Sequence, residues 1–276
     1  MVDMPKVILD GAVLPEEGLG QTLVQGRGAD VPVIFGSNRD EMKLFLFLDS
    51  RYVRRWFGVL PQVKDEARLF RDAEYQSLVW KASGVDGLAE PLARRRPGQV
   101  FGYRFDWDEE PRILWADLGE LLGAAHGFEI PFVFGHWELG RQGEVLFTEA
   151  NAAGRETLSA AMRGYWAEFA RHGDPGRGGS RERTRWQPWD ASGPATPRYL
   201  RLDTPAGGGL AMRAEKVSAE ALLERLGQDP RFADSASRCR MARTLVERSW
   251  LLREDEVSRI AGGLCAHAAS RPRIGS

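Results

Sequence analysis

A short apolar run at residues 31–35, Val-Pro-Val-Ile-Phe, constrains the fold of this chain more than any other segment. It is rich in β-branched residues and is closed by Gly36, which is the pattern of a strand buried on both faces of a parallel sheet. Residues 100–107 predict a second strand, in which aromatic residues alternate with glycine and charged residues. Four aromatics therefore share one face of that strand: Phe101, Tyr103, Phe105 and Trp107. Parallel strands of this kind need helices on both faces of the sheet, so we expect an α/β protein.

Apolar periodicity places helices between and after these strands. It predicts helices over residues 44–48, 61–82, 148–172, 217–226 and 241–260. The pattern is clearest at 148–172, where Trp166 and Phe169 belong to the apolar face and Gly173 and Pro175 provide the stop. The remaining segments are predicted to be a loop at 175–197, a terminal strand at 198–203, a hinge at 207–209 and a frayed end at 266–276.

Composition excludes several classes of partner. The 276 residues include 38 basic and 39 acidic residues and carry a net charge of -1, which gives no reason to expect nucleic acid or an anionic membrane as a partner. No segment approaches the roughly 20 apolar residues of a membrane span, and the first residues lack the apolar core of a signal peptide, so no compartment is assigned. Cys239 and Cys265 are too few for a disulfide scaffold and have no metal-type spacing, although a single bridge between them stays open.

Two residues carry candidate chemistry, and each follows a predicted strand. Glu41 comes after the first strand, and His126 lies in a Gly-Ala-Ala-His-Gly segment after the second, where open α/β sheets place their chemistry. A histidine oriented by a carboxylate acts as a general base toward a hydroxyl group. The order acid and then histidine matches the last two steps of the Ser…Glu…His order of α/β-hydrolases. Order alone is a weak signal, because a lone Glu41 or His126 is more often an ordinary loop residue.

The sequence holds no Gly-x-Ser-x-Gly motif, so the nucleophile of such a triad is missing. Ser37, Ser83 and Ser180 lack the paired glycines that permit a strained strand-to-helix elbow. The other histidines have no partner at metal or catalytic spacing and are assigned no role: His136, His172 and His267. The chain therefore presents an acid and a base without a nucleophile.

Three linked segments make a family resemblance specific. Residues 31–41, 123–135 and 165–175 resemble, in sequence and in order, the C-terminal half of the type B carboxylesterases, which include cholinesterases and bacterial broad-specificity esterases. The resemblance implies an α/β-hydrolase fold, a mostly parallel sheet flanked by helices, of which this chain holds the C-terminal portion and which is incomplete without the N-terminal half. It assigns residues 1–206 to the carboxylesterase domain and leaves 207–276 as a helical tail of unassigned role.

The resemblance also implies site residues. Glu41 corresponds to the triad acid and His126 to the triad base, while Asn38 and Glu129 are supporting residues, with Glu129 ordering the histidine loop. The serine and the oxyanion hole are expected in the absent half. Three aromatics are candidates for an acyl or alcohol pocket, and core packing accounts for them equally well: Phe132, Phe134 and Trp137. The implied activity is hydrolysis of a small-molecule carboxylic ester through an acyl-enzyme, with no metal or organic cofactor.

Two other hypotheses account for the same residues. The chain is then a truncated, non-catalytic hydrolase-fold interaction module, or one part of a two-chain enzyme completed by a separate N-terminal polypeptide. In every case the chain alone is expected to be inactive. An uncovered strand edge and apolar surface also predict poor solubility.

Overall fold

The structure, a computed structural model, describes residues 8–27, 30–56, 60–138, 140–252 and 265. Its strands are β1 (Val33–Asn38), β2 (Val53–Trp56), β3 (Leu60–Val63), β4 (Val100–Phe105), β5 (Arg112–Ile113), β6 (Ala116–Asp117), β7 (Tyr199–Leu202) and β8 (Ala211–Arg213). Its first helices are α1 (Leu19–Val24), α2 (Lys43–Leu48), α3 (Glu66–Lys81), a π-helical segment (Ala82–Asp86) and α4 (Gly87–Arg95). The later helices are α5 (Leu118–Leu121), α6 (Glu129–Phe134), α7 (Arg141–Leu146), α8 (Glu149–His172), α9 (Ala219–Gln228) and α10 (Ser235–Glu247).

The main sheet has the strand order β1-β4-β7-β8. β1 pairs with β4 in parallel, with Gly36 opposite Tyr103 and Asn38 opposite Phe105, and β4 pairs with β7 in parallel. β8 runs antiparallel to β7, so the sheet is mostly parallel. Because β1 and β4 end at the same level, the loops that follow them emerge side by side, which brings the two predicted site segments together.

The sheet is buried between two layers of helices. On one face, Phe101 and Phe105 of β4 are fully buried against α6 and α8, together with Trp186. On the other face, Val100 and Trp189 pack against α4. The alternation predicted for residues 100–107 therefore sets the two sides of the sheet, and Trp107 joins the same cluster although it lies beyond the strand end.

Helix α8 follows its sequence signals closely. At its start the Asn151 side chain accepts a hydrogen bond of 3.1 Å from the backbone N–H of Thr148, the N-cap residue, and Gly173 ends it in a left-handed conformation at φ 71°. Tyr165 and Met162 are fully buried in the core, as the apolar spacing predicts. Residues 44–48 also form a helix as expected, starting one residue earlier at Lys43.

Several predicted boundaries are wrong for identifiable reasons. Residues 60–63 pair with β2 as a hairpin, so the helix predicted at 61–82 begins only at Glu66, where the Asp65 side chain accepts a hydrogen bond from the Arg68 backbone. β1 runs to Asn38 because its pairing with β4 continues beyond Gly36. The strand predicted as terminal is followed by β8, and residues 207–209 lie in the connection between the two rather than in a hinge between domains.

The tail helices pack on the outer side of α3. Leu222, Leu226, Met241 and Leu245 from α9 and α10 form one apolar cluster with Tyr75 of α3. Cys239 and Cys265 form a disulfide, which settles the pairing that the sequence left open. The helix predicted at 241–260 is observed at Ser235–Glu247, and its predicted end, like the end at 266–276, lies outside the described residues.

No helix within the described ranges has both the length and the apolar character required to cross a bilayer.

Candidate active site

Glu41 lies in the turn directly after β1 and is almost completely buried, at 4% exposure. Its Oε1 accepts a hydrogen bond of 2.7 Å from the backbone N–H of Asn38, the last residue of β1. The carboxylate is therefore tied to the strand end rather than free in a surface loop. Burial and this hydrogen bond fix the orientation of the Glu41 side chain independently of its contact with His126.

His126 sits in the tight loop between α5 and α6, which is clasped to the Glu41 loop through Asp40. The Asp40 backbone N–H donates to the carbonyl of Ala124 at 3.0 Å, and the Ala124 N–H donates to Asp40 Oδ2 at 3.2 Å. Gly123 permits this approach, because a Cβ there would lie 2.5 Å from Asp40 Oδ2 and its φ is 51°. The small residues around His126 thus let two loops lie in contact.

The structure brings the two predicted site residues into direct contact. His126 Nδ1 lies 2.7 Å from Glu41 Oε2. Hydrogen bonding to Glu41 raises the pKa of His126, the charges of Glu41 and Glu129 add to that effect, and partial burial opposes it. The His126 side chain is 44% exposed, against 6% for Glu41. Within the described part of the chain, Nε2 of His126 has no hydrogen-bond partner. One ring nitrogen, Nδ1, is therefore paired with Glu41, and the other, Nε2, is free to contact a substrate.

Asn38 connects the two loops through its side chain. Its Nδ2 donates to the carbonyl of Ala125 at 2.7 Å and to Glu129 Oε2 at 2.5 Å. One amide group therefore fixes the backbone next to His126 and also the carboxylate in the first turn of α6. Asn38 and Glu129 are therefore hydrogen-bonded to each other beside the His126 loop.

Two aromatic rings flank the imidazole, and the sequence reasoning missed both. The Phe45 ring lies 5.2 Å from the His126 ring, and the Trp80 ring lies 5.4 Å from it. Phe45 lies only four residues after Glu41, so its closeness in sequence to a predicted site residue could have indicated it. Trp80 lies near the end of α3 and reaches the site only through tertiary packing.

The three predicted pocket aromatics do not share one surface. Phe132 is fully buried in the core against Phe105, and Trp137 packs on Phe132 at 5.0 Å between ring centroids. Phe134 is 73% exposed and lies apart from them. The expectation of a pocket built from this set is wrong, because α6 turns Phe132 into the core and Phe134 away from it.

None of the three discounted serines is hydrogen-bonded to His126 in the ranges that the structure describes. Ser37 lies within β1, and its buried Oγ has no partner there. Ser83 bonds to Ser249 at 2.7 Å within the α3 and tail region. Ser180 lies in the surface loop after α8. Across the same residues, no cluster of three or more side chains has the geometry to hold a metal ion.

Comparison with known proteins identifies the family. The model of the carboxylesterase family matches residues 77–219, which is more than half of the chain and includes His126. This chain belongs to the carboxylesterase family. Glu41 lies before the matched range.

Individual relatives cover the carboxylesterase chain unevenly. Acetylcholinesterase from Gallus gallus is 35% identical over 124 residues, which are 44% of this chain and 14% of that protein. Para-nitrobenzyl esterase from Bacillus subtilis is 27% identical over 194 residues, or 64% of this chain and 36% of that protein. The chain therefore spans well under half the length of these relatives.

A solved structure supports the fold. The crystal structure of EstA from Aspergillus niger superposes with a TM-score of 0.52 at 19% identity, covering 88% of this chain and 45% of that one. The α/β-hydrolase class expected from the sequence, with a mostly parallel sheet flanked by helices, is confirmed.

Proposed function

We propose that this chain supplies the acid and the base, Glu41 and His126, of a serine hydrolase acting on carboxylic esters. The observation that carries the proposal is the 2.7 Å contact between His126 Nδ1 and Glu41 Oε2. Membership of the carboxylesterase family gives the reaction class, and the remaining roles are inferred from geometry.

The contact fixes the tautomer of the imidazole. With Nδ1–H donating to the Glu41 carboxylate, Nε2 carries the lone pair and faces outward. As a serine hydroxyl attacks the ester carbonyl, Nε2 takes the hydroxyl proton and then returns it to the departing alcohol, leaving an acyl-serine. A water molecule attacks that acyl group in the second half-reaction and gives a proton to Nε2. Nε2 returns this proton to the serine oxygen as the bond between the serine and the acyl group breaks and the acid leaves. Glu41 stabilises the imidazolium in both halves, in keeping with the raised pKa of His126.

We infer that the serine and the oxyanion hole lie on polypeptide other than the described residues. The sequence holds no Gly-x-Ser-x-Gly, and among the strands that the structure describes β1 pairs along one edge only, with β4. A strand added at the open edge of β1 would end beside the Glu41 loop, on the side of the sheet where His126 stands. A parallel neighbour of this kind delivers a residue to the shared carboxyl ends of the strands.

The substrate class follows from the surroundings of Nε2. Phe45 and Trp80 border the imidazole with apolar rings, and both are partly exposed, at 43% and 36%. Rings in this position contact the apolar part of an ester while Nε2 faces the reacting oxygen. The proposal therefore names small carboxylic esters with an apolar acyl or alcohol group, and it requires no cofactor.

A complementation experiment tests these roles. The chain alone should not hydrolyse a short-chain nitrophenyl ester, and a fluorophosphonate should not label it. Joining it to the N-terminal portion of the Bacillus subtilis esterase that precedes the matched region should restore hydrolysis. In that fusion His126→Ala and Glu41→Gln should each lower kcat by about 10³-fold or more.

A matched control is available in the segment that follows α6. His136→Ala changes another exposed histidine, ten residues along the chain, and should leave kcat unchanged. Hydrolysis by the chain alone that is lost in His126→Ala would overturn the inference about the nucleophile. A fusion whose kcat is unchanged by His126→Ala would overturn the roles proposed for Glu41 and His126.

The open β1 edge also supports a second candidate, a non-catalytic module that binds another polypeptide by strand addition. Binding of this kind would depend on the open edge of β1 and would not depend on the contact between Glu41 and His126. The second candidate predicts a fusion that folds and assembles normally yet shows no ester hydrolysis.

A further inference from the structure

A solvent-filled cleft of about 640 Å³ lies between α3, the turn before β2 and the tail helix α10. Six arginines line it together with four acidic residues: Arg51, Arg68, Arg71, Arg231, Arg240 and Arg248. The lining side chains thus include two more cations than carboxylates, but carboxylates outside the lining pair with some of the arginines. The cleft is separate from the surface of His126, and α10, which forms one of its walls, lies beyond the region matched to the carboxylesterase family.

Most of these guanidinium groups already have carboxylate partners. Arg71 donates to Asp72 at 2.8 Å, Arg51 pairs with Asp49, and Arg231 pairs with Asp229. Two of the lining carboxylates, Asp65 and Asp234, cap the first turns of α3 and α10. The positive charge that remains uncompensated is therefore concentrated on a few arginines.

Arg240 and Arg248 hold that uncompensated charge. Within the described ranges neither forms an ion pair, and the hydrogen bond recorded for the Arg248 guanidinium goes to Met42 Sδ at 3.7 Å, a weak acceptor. Burial lowers the pKa of Arg248, and the charge of Arg51 adds to the effect, while Glu247 opposes it. Neither guanidinium group therefore has a strong acceptor among the described residues.

The helix α10 places these groups in one line. Arg240, Thr244 and Arg248 are spaced four residues apart, so they share the face of the helix that lines the cleft. Across the cleft, the Arg68 guanidinium rests 5.1 Å from the Tyr52 ring, which holds a further cation on the opposite wall. Cations on two walls are suited to an anion with oxygens pointing in several directions.

We propose that this cleft binds a small phosphate-bearing anion, held mainly by Arg240 and Arg248. The planar guanidinium group presents paired N–H donors that match phosphate oxygens. Among the described residues Arg240 and Arg248 are the lining arginines without an ion pair, and their two positive charges match a phosphate dianion. Helix α10, which lies beyond the family match, thereby gains a binding role.

Calorimetric titration of inorganic phosphate into the whole chain tests the proposal. At neutral pH and constant ionic strength, we expect one saturable site. Arg240→Gln and Arg248→Gln should each raise the dissociation constant for phosphate by about tenfold or more. Arg248→Lys, which keeps the charge and loses the paired donors, should give an intermediate value. Arg181→Gln, an exposed arginine in the loop after α8, should bind phosphate as the parent does.

Further arms identify the ligand class. Acetate should bind about tenfold more weakly than phosphate, because it offers two oxygens and a single charge. Phenyl phosphate binding as tightly as inorganic phosphate would assign the site to phosphomonoesters, whereas exclusion of phenyl phosphate would restrict it to free phosphate. Far-UV circular dichroism establishes that each variant is folded, and Arg240→Gln carries the test if Arg248→Gln does not fold.

Two results would overturn the proposal. One is the absence of saturable binding up to about 10 mM phosphate. The other is saturable binding that is unchanged in both Arg240→Gln and Arg248→Gln. Neither result depends on ester hydrolysis, so the outcome is independent of the roles proposed for Glu41 and His126.

Discussion

Replacing Glu110 by glutamine should stabilise this protein at neutral pH, and the gain should grow with pH. Glu110 lies in the loop after β4, is only 6% exposed, and neither of its carboxyl oxygens has a hydrogen-bond partner among the described residues. Burial raises its pKa to about 9, and the negative charges of Asp108 and Asp40 act in the same direction. The folded protein therefore keeps this carboxyl protonated at neutral pH.

The magnitude follows from proton linkage. In the unfolded chain the Glu110 carboxyl ionises near its reference pKa of 4.5, whereas the folded protein retains the proton up to about pH 9. Between these values the folded state binds one proton more than the unfolded state, so the free energy of unfolding falls by about 1.4 kcal/mol per pH unit. At pH 7 the accumulated cost is about 3 kcal/mol. A glutamine at this position does not ionise, so the Glu110→Gln protein does not lose this stability.

Urea unfolding of the parent and Glu110→Gln between about pH 5 and pH 8 measures the effect. The stability difference should rise from about 1 kcal/mol at pH 5 to about 3 kcal/mol at pH 7. Glu120→Gln makes the same chemical change at an exposed position in α5 and provides the baseline. A difference between Glu110→Gln and the parent that stays constant with pH would refute a buried neutral carboxyl.

Three further outcomes follow from contacts described above. Glu41→Gln removes the carboxylate that raises the pKa of His126, so NMR titration should give a lower imidazole pKa; an unchanged value would contradict the Nδ1 contact. Gly36→Ala would place a Cβ 1.8 Å from Cε1 of Tyr103, and the forced repacking should reduce the free energy of unfolding by about 3 kcal/mol in urea. Tyr75→Phe removes a buried 2.8 Å hydrogen bond to the tail, which should destabilise the protein by about 1 kcal/mol and speed amide exchange in α10; full protection would argue against that anchor.

Local signals predicted the parts of the fold that local physics determines. Helix α8 has its apolar face, its cap at Thr148 and its stop at Gly173 in one continuous segment, and its bounds agree with the prediction to within a residue. Glu41 and His126 are predicted because each lies in a short motif of the family resemblance, Glu41 directly after a strand and His126 in a glycine- and alanine-rich segment further along. Their 2.7 Å contact depends on the pairing of β1 with β4, which no single segment encodes.

The errors arose where long-range packing decides. Residues 60–63 have enough apolar content to extend a helix, yet pairing with β2 makes them a strand. Trp80 was not predicted at the site because only the packing of α3 against the sheet carries it to His126. The start of α10 was missed although a local signal existed, since Asp234 and Ser237 form a capping box.

The side-chain amide of Asn38 has a practical consequence for protein engineering. Because it holds the backbone beside His126 and the carboxylate of Glu129 at once, the turn after β1 and the turn before α6 behave as one transplantable unit. Grafting either turn alone from a homologue would leave that amide facing foreign chain. Exchanging both turns with Asn38 in place would carry the complete arrangement into a new scaffold.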